Sequence, residues 1–183
     1  MATPKPSKGW HSRGYVPHYD TPEWAQHVVF RTAGPLPTTI SVCAEAPARA
    51  RRLDAWLDSG AGGSPLAPPE HANVVAQSLH VFAGQRYDLH AWCVMPNHVH
   101  VLMILREGSR LGDVMKSWKT FTGRKINKAN GDAGPFWAPD YFDRYMRDET
   151  DFQNTIAYIE NNPVAAGLVS RPEDWAWSSA AKE

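Results

Sequence analysis

The chain has 183 residues, of which 43% are hydrophobic and eight are tryptophan. That supports one domain with a real core and excludes a disordered chain. Nineteen basic residues balance nineteen acidic ones, so the chain as a whole lacks the basic footprint of a nucleic-acid binder. No apolar run reaches the roughly 18 residues of a membrane-spanning helix. The polar, Pro/Lys-rich stretch Met1–Gly9 lacks the apolar core of a secretory signal. The two cysteines, Cys43 and Cys93, are far apart and fit reduced thiols better than a disulfide framework. The expected setting is cytoplasmic, with no membrane partner.

Residues 1–23, punctuated by Pro and Gly, are expected to be an irregular segment preceding a single domain over 24–183. Trp24 to Thr32 is rich in β-branched and aromatic residues and reads as a strand. Residues 44–58 read as a helix, with Leu53, Trp56 and Leu57 at helical spacing. The Gly/Pro-rich stretch 59–70 is a loop, and Val74 to Phe82 is a second helix. Tyr87–Val94 and His98–Leu105 are strands joined by Met95-Pro96-Asn97, which supplies turn chemistry, so they form an antiparallel hairpin. The second strand is apolar on both faces apart from its histidines, which places it centrally in its sheet. Leu111 to Ile126 is an amphipathic helix with Leu111, Val114, Met115, Trp118 and Phe121 on its apolar stripe. A loop follows over 127–135, then an extended aromatic segment, Phe136 to Met146. The last helix begins at the capping candidates Asp148 to Asp151 and ends at Asn162, before Pro163. Trp175 and Trp177 are expected to pack on the body. The order predicts an α+β fold with an antiparallel sheet and helices on its faces.

Three features carry chemistry. His98 and His100 are two apart in a strand, so both imidazoles share one face and are able to chelate one divalent ion. Burying two polar rings without a partner is costly, which favours ligation over surface decoration. Cys93 stands either as a thiolate ligand beside them or as a small buried hydrophobe. In the last helix, Phe152, Ile156 and Ile159 form the apolar stripe, while Tyr158 lies off it and shares a face with Asn162, four residues on. A phenol that attacks an electrophile and an amide that reaches a metal would use that pairing, although taken alone it is more often an interfacial tyrosine and a helix-ending asparagine. Between Arg106 and Lys128, seven basic residues face only Glu107 and Asp113. That segment is either a phosphate-binding surface or a solvated helix face.

Together, WHSRGYVPHYD (10–20), WCVMPNHVHVLM (92–103), FWAPDYFDRYMRDE (136–149), YIENNPVAAGLV (158–169) and WAWSS (175–179) resemble the REP-associated tyrosine transposases. These are relatives of the single-tyrosine insertion-sequence transposases in the histidine–hydrophobe–histidine nuclease superfamily. The resemblance implies a ferredoxin-like α+β fold. It implies that His98 and His100 ligate the metal and that Tyr158 is the nucleophile. Asn162 stands where related transposases carry a glutamine that completes the metal site, and it is shorter by one methylene. Nothing is transferred to the 59–70 loop.

The expected activity is therefore metal-dependent cutting and rejoining of single-stranded or hairpin DNA through a 5′-phosphotyrosine, with Mg2+ or Mn2+ as cofactor. Lys116, Lys119, Arg124, Lys125 and Arg144 are candidate phosphate contacts, and aromatic side chains are candidates for base stacking. The chain would act as a monomer or homodimer. The rival readings are a small metal-dependent hydrolase with a structural Tyr158 and a transposase-derived DNA-binding protein that no longer cuts.

Overall fold

The computed structural model describes residues 9–12, 17–20, 24–41, 46–60 and 62–182. In chain order the elements are β1 (Gly9–Ser12), β2 (Pro17–Asp20), β3 (Ala25–Arg31), α1 (Thr38–Ser41) and α2 (Ala46–Asp58). Then come α3 (Pro69–His80), β4 (Tyr87–Val94), β5 (His98–Leu105), α4 (Leu111–Asn130), β6 (Phe142–Tyr145), α5 (Glu149–Ala165) and a 3-10 turn, Pro172–Asp174. Within 1–23, where irregular chain was expected, β1 and β2 pair antiparallel, Gly9 opposite Asp20 and Ser12 opposite Pro17. Cys43 lies outside the described residues.

From β3 onward, four strands form an antiparallel sheet in the order β4–β5–β3–β6. Strand, helices, hairpin, helix, strand and helix in that order make the split β-α-β arrangement of ferredoxin-like folds. The chain is thus α+β, and β5 is central as its two apolar faces required.

The alternation of β5 feeds two cores. Val99, Val101 and Met103 face α3 and α4, where they join Val28, Phe30, Val75, Leu79, Val114 and Trp118. Leu102 faces α5, where it joins Ala25, Ala91, Cys93 and Ile159, flanked by Phe152 and Ile156. Each aliphatic or aromatic side chain buried in this way contributes about 1.5–3 kcal/mol relative to exposure. Within the first core, Trp118 Nε1 donates to Tyr87 Oη at 3.1 Å, and Tyr87 Oη donates to the Leu79 carbonyl at 2.7 Å.

Four expectations need correction. α3 starts at Pro69, not Val74, because proline fits the first helical turn, where its missing N–H costs nothing. α4 runs through to Asn130, and Gly131 ends it with φ 74° and an N–H bonded to the Asn127 carbonyl. Phe121 is 53% exposed rather than part of the α4 stripe. α5 continues past Pro163 to Ala165. Only the bond to the Ile159 carbonyl is lost there, and the turn is closed by Ala166 N–H to Asn162 O at 3.0 Å and Leu168 N–H to Pro163 O at 2.9 Å.

The aromatic segment is a strand only over 142–145. Its first half lies against α4, where Trp137 Nε1 donates to Thr122 Oγ1 at 2.9 Å. A Cβ on Gly123 would stand 3.2 Å from Phe136 Cβ, a tight approach that glycine relieves. Trp175 Nε1 donates to the Val94 carbonyl and Trp177 Nε1 to Asn73 Oδ1, which pins the tail to the body.

Asp148 caps α5, its carboxylate accepting from Asp151 N–H at 2.8 Å. Asp148→Ala should cost about 1 kcal/mol. Chemical denaturation measures this, and an unchanged midpoint would show that the cap is not what starts the helix carrying Tyr158.

Candidate active site

β5 begins at His98, and strand alternation turns His98 and His100 toward α5. Both side chains are fully buried, and their Nε2 atoms stand 2.8 Å apart. The residue before them fixes the first ring. Asn97 Nδ2 donates to the Leu57 carbonyl at 3.1 Å, which leaves Asn97 Oδ1 to accept from His98 Nδ1 at 2.6 Å. His98 therefore carries its proton on Nδ1 and presents a bare Nε2.

The same turn holds the end of α2. Besides the Leu57 contact, Leu66 N–H donates to the Pro96 carbonyl at 2.8 Å, so the 59–70 loop is tied down where α2 stops. This brings Asp58 Oδ1 to 3.3 Å from His98 Nε2. Burial pushes His98 below its ordinary value of 6.5, with the Asp58 carboxylate a partial offset, and His100 falls well below it for the same first reason. A neutral His98 with its proton on Nδ1 faces Asp58 as one acceptor faces another.

Asp58 Oδ1 and Asn162 Oδ1 are buried without a hydrogen-bond partner among the described residues. Asn162, one turn beyond Tyr158 on α5, is 2% exposed and sets Nδ2 at 3.3 Å from His100 Nε2. Rotating its amide by half a turn would point Oδ1 there instead, and the two assignments differ only in which atom is called nitrogen. Converging lone pairs of this kind are costly to bury unless a cation lies between them. Asp58, His98 and His100 each offer a ligand atom, all within 4.8 Å of one another, and the set fits a divalent metal.

Tyr158 borders this group. Its ring meets His100 edge-on at 5.6 Å between centroids, and its hydroxyl lies 3.5 Å from Asp58 Oδ2. The phenol is pushed up from 10.0 by burial first and then by the negative charges of Asp54 and Asp58. Asp54, one turn earlier on α2, is itself raised to about 7 by burial and by Asp58. A second buried ring, His27 on β3, places Nε2 at 3.0 Å from His100 Nδ1 and is lowered to about 3 by burial and then by the charge of Arg144.

The structure thus brings together His98, His100, Tyr158 and Asn162. It adds Asp58, which no spacing in the sequence signals, because it lies 40 positions before His98 and arrives through the turn. Cys93 stands opposite His100 across the β4–β5 ladder but is fully buried, with its thiol pushed up by burial, and it behaves as a small hydrophobe. Lys116, Arg124 and Lys125 are exposed on α4, across the sheet from the histidines. Lys119 donates to the Pro139 and Asp140 carbonyls, and burial draws its ammonium down to about 8. Arg144 donates to both oxygens of Asp151 and to Thr155 Oγ1, which clamps β6 to α5. No helix among the described residues is long and apolar enough to cross a membrane.

The family described as "Transposase IS200 like" matches residues 71–162, half of the chain. The REP-associated tyrosine transposase of Escherichia coli strain K12 is 29% identical over 93 residues, 51% of this chain and 54% of that protein. A relative from Haemophilus influenzae is 28% identical over 103 residues, 51% of this chain and 58% of the relative. The chain thus matches little more than half the length of these curated relatives. The solved structure of a REP-associated tyrosine transposase bound to a REP hairpin shares the fold, with a TM-score of 0.55 at 16% identity, covering 88% of this chain and 79% of that one.

The depressed histidines give stability a definite pH dependence. Below 6.5 the unfolded chain takes up protons that folded His27, His98 and His100 refuse, and for His27 this persists down to about 3. Asp54 acts the other way between its ordinary 3.8 and about 7, one group against three. Stability is therefore fully present above about pH 7 and falls on acidification, with each uncompensated histidine contributing a slope of about 1.4 kcal/mol per pH unit. Thermal melts in chelator from pH 7.5 to 5 test this, and a melting temperature that stays level would contradict neutral burial of the three rings.

Proposed function

The chain belongs to the IS200-like transposase family, and from that membership we propose that it cuts and rejoins single-stranded DNA carrying a hairpin. Tyr158 is the nucleophile, and Asp58, His98 and His100, with Asn162 Oδ1, hold Mg2+ or Mn2+. The observation that carries the reading is one carboxylate shared between two tasks. Asp58 Oδ1 faces the bare nitrogen of His98, while Oδ2 lies 3.5 Å from the Tyr158 hydroxyl. The two histidine Nε2 atoms stand 2.8 Å apart and Asp58 Oδ1 lies 3.3 Å from the first of them, so these three groups would share one divalent ion. The hairpin substrate is carried over from the relative whose structure holds one.

A bound divalent ion supplies Lewis-acid polarisation of the scissile phosphate and positive charge beside the phenol. Tyr158 Oη forms the new bond to phosphorus, and the bond from phosphorus to the 3′ oxygen breaks, leaving a 5′-phosphotyrosine and a 3′-OH. Asp58 Oδ2 is the acceptor nearest the phenol proton, and the departing 3′ oxygen takes its proton from water. The 40% exposure of Tyr158 gives a strand access to it, while the fully buried histidines keep water from their ring faces. The phosphodiester energy is retained in the tyrosine ester, so attack by a second 3′-OH rejoins the strands. Lys116, Arg124 and Lys125 on α4 serve as phosphate contacts for the part of the DNA that lies across the sheet from the cut. Lys119 and Arg144, engaged within the fold, contribute less.

Incubating the protein with labelled single-stranded hairpin DNA and Mn2+ should give a covalent adduct on a denaturing gel that vanishes with chelator and in Tyr158→Phe. Cutting that persists in Tyr158→Phe without an adduct would favour metal-activated water. Binding without cutting would favour a DNA-binding protein derived from a transposase. Asp58→Asn should raise the Mn2+ concentration needed for half-maximal cutting by at least roughly tenfold; an unchanged metal requirement would remove Asp58 from the ligand set.

A further inference from the structure

A third buried histidine lies behind the ligand pair. His27 is 4% exposed and sits on β3, where Val29 stands opposite His100 and Leu102 opposite His27. His27 and His100 are thus diagonal neighbours on the face covered by α5. Their rings are nearly parallel, 19° between planes and 5.2 Å between centroids, and meet edge to edge with His27 Nε2 3.0 Å from His100 Nδ1. The edge of the His27 and Tyr158 ring pair closes the other side, at 6.0 Å and 77°. His27 meets the nitrogen of His100 that points away from His98 and Asp58, so it lies outside the ligand group.

We infer that His27 is a positioning residue: its Nε2 accepts the proton on His100 Nδ1 and so keeps the lone pair of His100 on Nε2, where the cation binds. This rests on reading His98 and His100 as metal ligands. A neutral imidazole carries one proton, and it ligates through Nε2 only when that proton sits on Nδ1. What decides the matter is an acceptor at Nδ1, and such partners orient the ring as well. Asn97 Oδ1 fills this role for His98, held by the Leu57 carbonyl. For His100 the atom in reach of Nδ1 is His27 Nε2, brought there by the β3–β5 register. The two ligands thus have separate acceptors, one on the hairpin turn and one on β3. Because the His27 ring also borders Tyr158, it holds the ligand and the nucleophile at a fixed spacing.

The test uses the full chain with His27→Phe, which keeps a flat ring without the acceptor, and His27→Gln, whose amide oxygen is able to reach the same point. Mn2+ affinity is read from the free-ion signal in electron paramagnetic resonance, and the His100 tautomer from long-range proton–nitrogen spectra with Mg2+. His27→Phe should weaken Mn2+ binding about 10- to 100-fold and shift the His100 proton from Nδ1 toward Nε2. His27→Gln should restore both to near the unaltered chain. Equal Mn2+ affinity in the unaltered chain and His27→Phe overturns the role of His27 alone, as does an unaltered chain whose His100 proton sits on Nε2 with Mg2+ bound. Loss of affinity in both variants with a matching drop in melting temperature and no tautomer change also overturns it, in favour of a packing role. An unaltered chain that binds no Mn2+ overturns the ligand reading itself, and this inference with it.

Discussion

Two imidazoles on adjacent same-face positions of a central strand set the terms for the rest of this molecule. Fully buried, they are driven neutral, and a neutral imidazole in a dry site needs each nitrogen met by something. Asn97 meets one outer nitrogen and His27 lies against the other, so the two Nε2 atoms turn inward toward a shared point. Asp58 then brings a carboxylate to that point, with an oxygen that no hydrogen bond satisfies. A carboxylate beside neutral rings is a net negative charge in low dielectric, and it raises the phenol beside it as well. One positive ion would correct both imbalances, so the proposed metal and nucleophile form a single electrostatic unit.

The sequence was most informative where one period governs a long element. The hairpin strands Tyr87–Val94 and His98–Leu105 are found with the expected bounds, because alternation and turn chemistry are local. Helical spacing put Tyr158 off the apolar stripe of Phe152, Ile156 and Ile159 and on one face with Asn162, while only the family resemblance joined it to the histidines. What stayed hidden came from the far side of the fold. Asp58 reaches His98 only because the α2 end is hydrogen-bonded to the hairpin turn, and no spacing encodes that contact. His27 carries no spacing signal within AQHVVFR, and its partner is visible only with the β3–β5 register. Pro163 misled because a proline near the last turn of a helix removes one bond, not the helix.

Electrostatics divides the sheet into two sides. The face under α5 gathers the ionisable groups that burial has neutralised, together with the carboxylates. The face under α3 and α4 is apolar within, and it carries exposed cations on the outer side of α4. A net charge of zero for the whole chain does not register the exposed cations gathered on α4. Lys119 and Arg144 show the limit of reading a basic run as one surface, because each is drawn into the fold by carbonyls or a carboxylate a few ångströms away.

The demands on α5 conflict, and its pitch resolves them. A metal ligand gains from burial, whereas a nucleophile must meet a polymer arriving from solvent. At about 100° per residue, Ile159 is fully buried against the sheet, Tyr158 beside it is 40% exposed, and Asn162 one turn on is 2% exposed against His100. Turning the helix by a single residue would bury the phenol and withdraw the amide from the histidines. The contacts that prevent this are the Asp148 cap at the start of the helix, the Arg144 clamp to Asp151 and Thr155 in its first two turns, and Ile159 in the core. Substitutions at these three positions would act on the proposed chemistry through the rotation of one helix about its own axis.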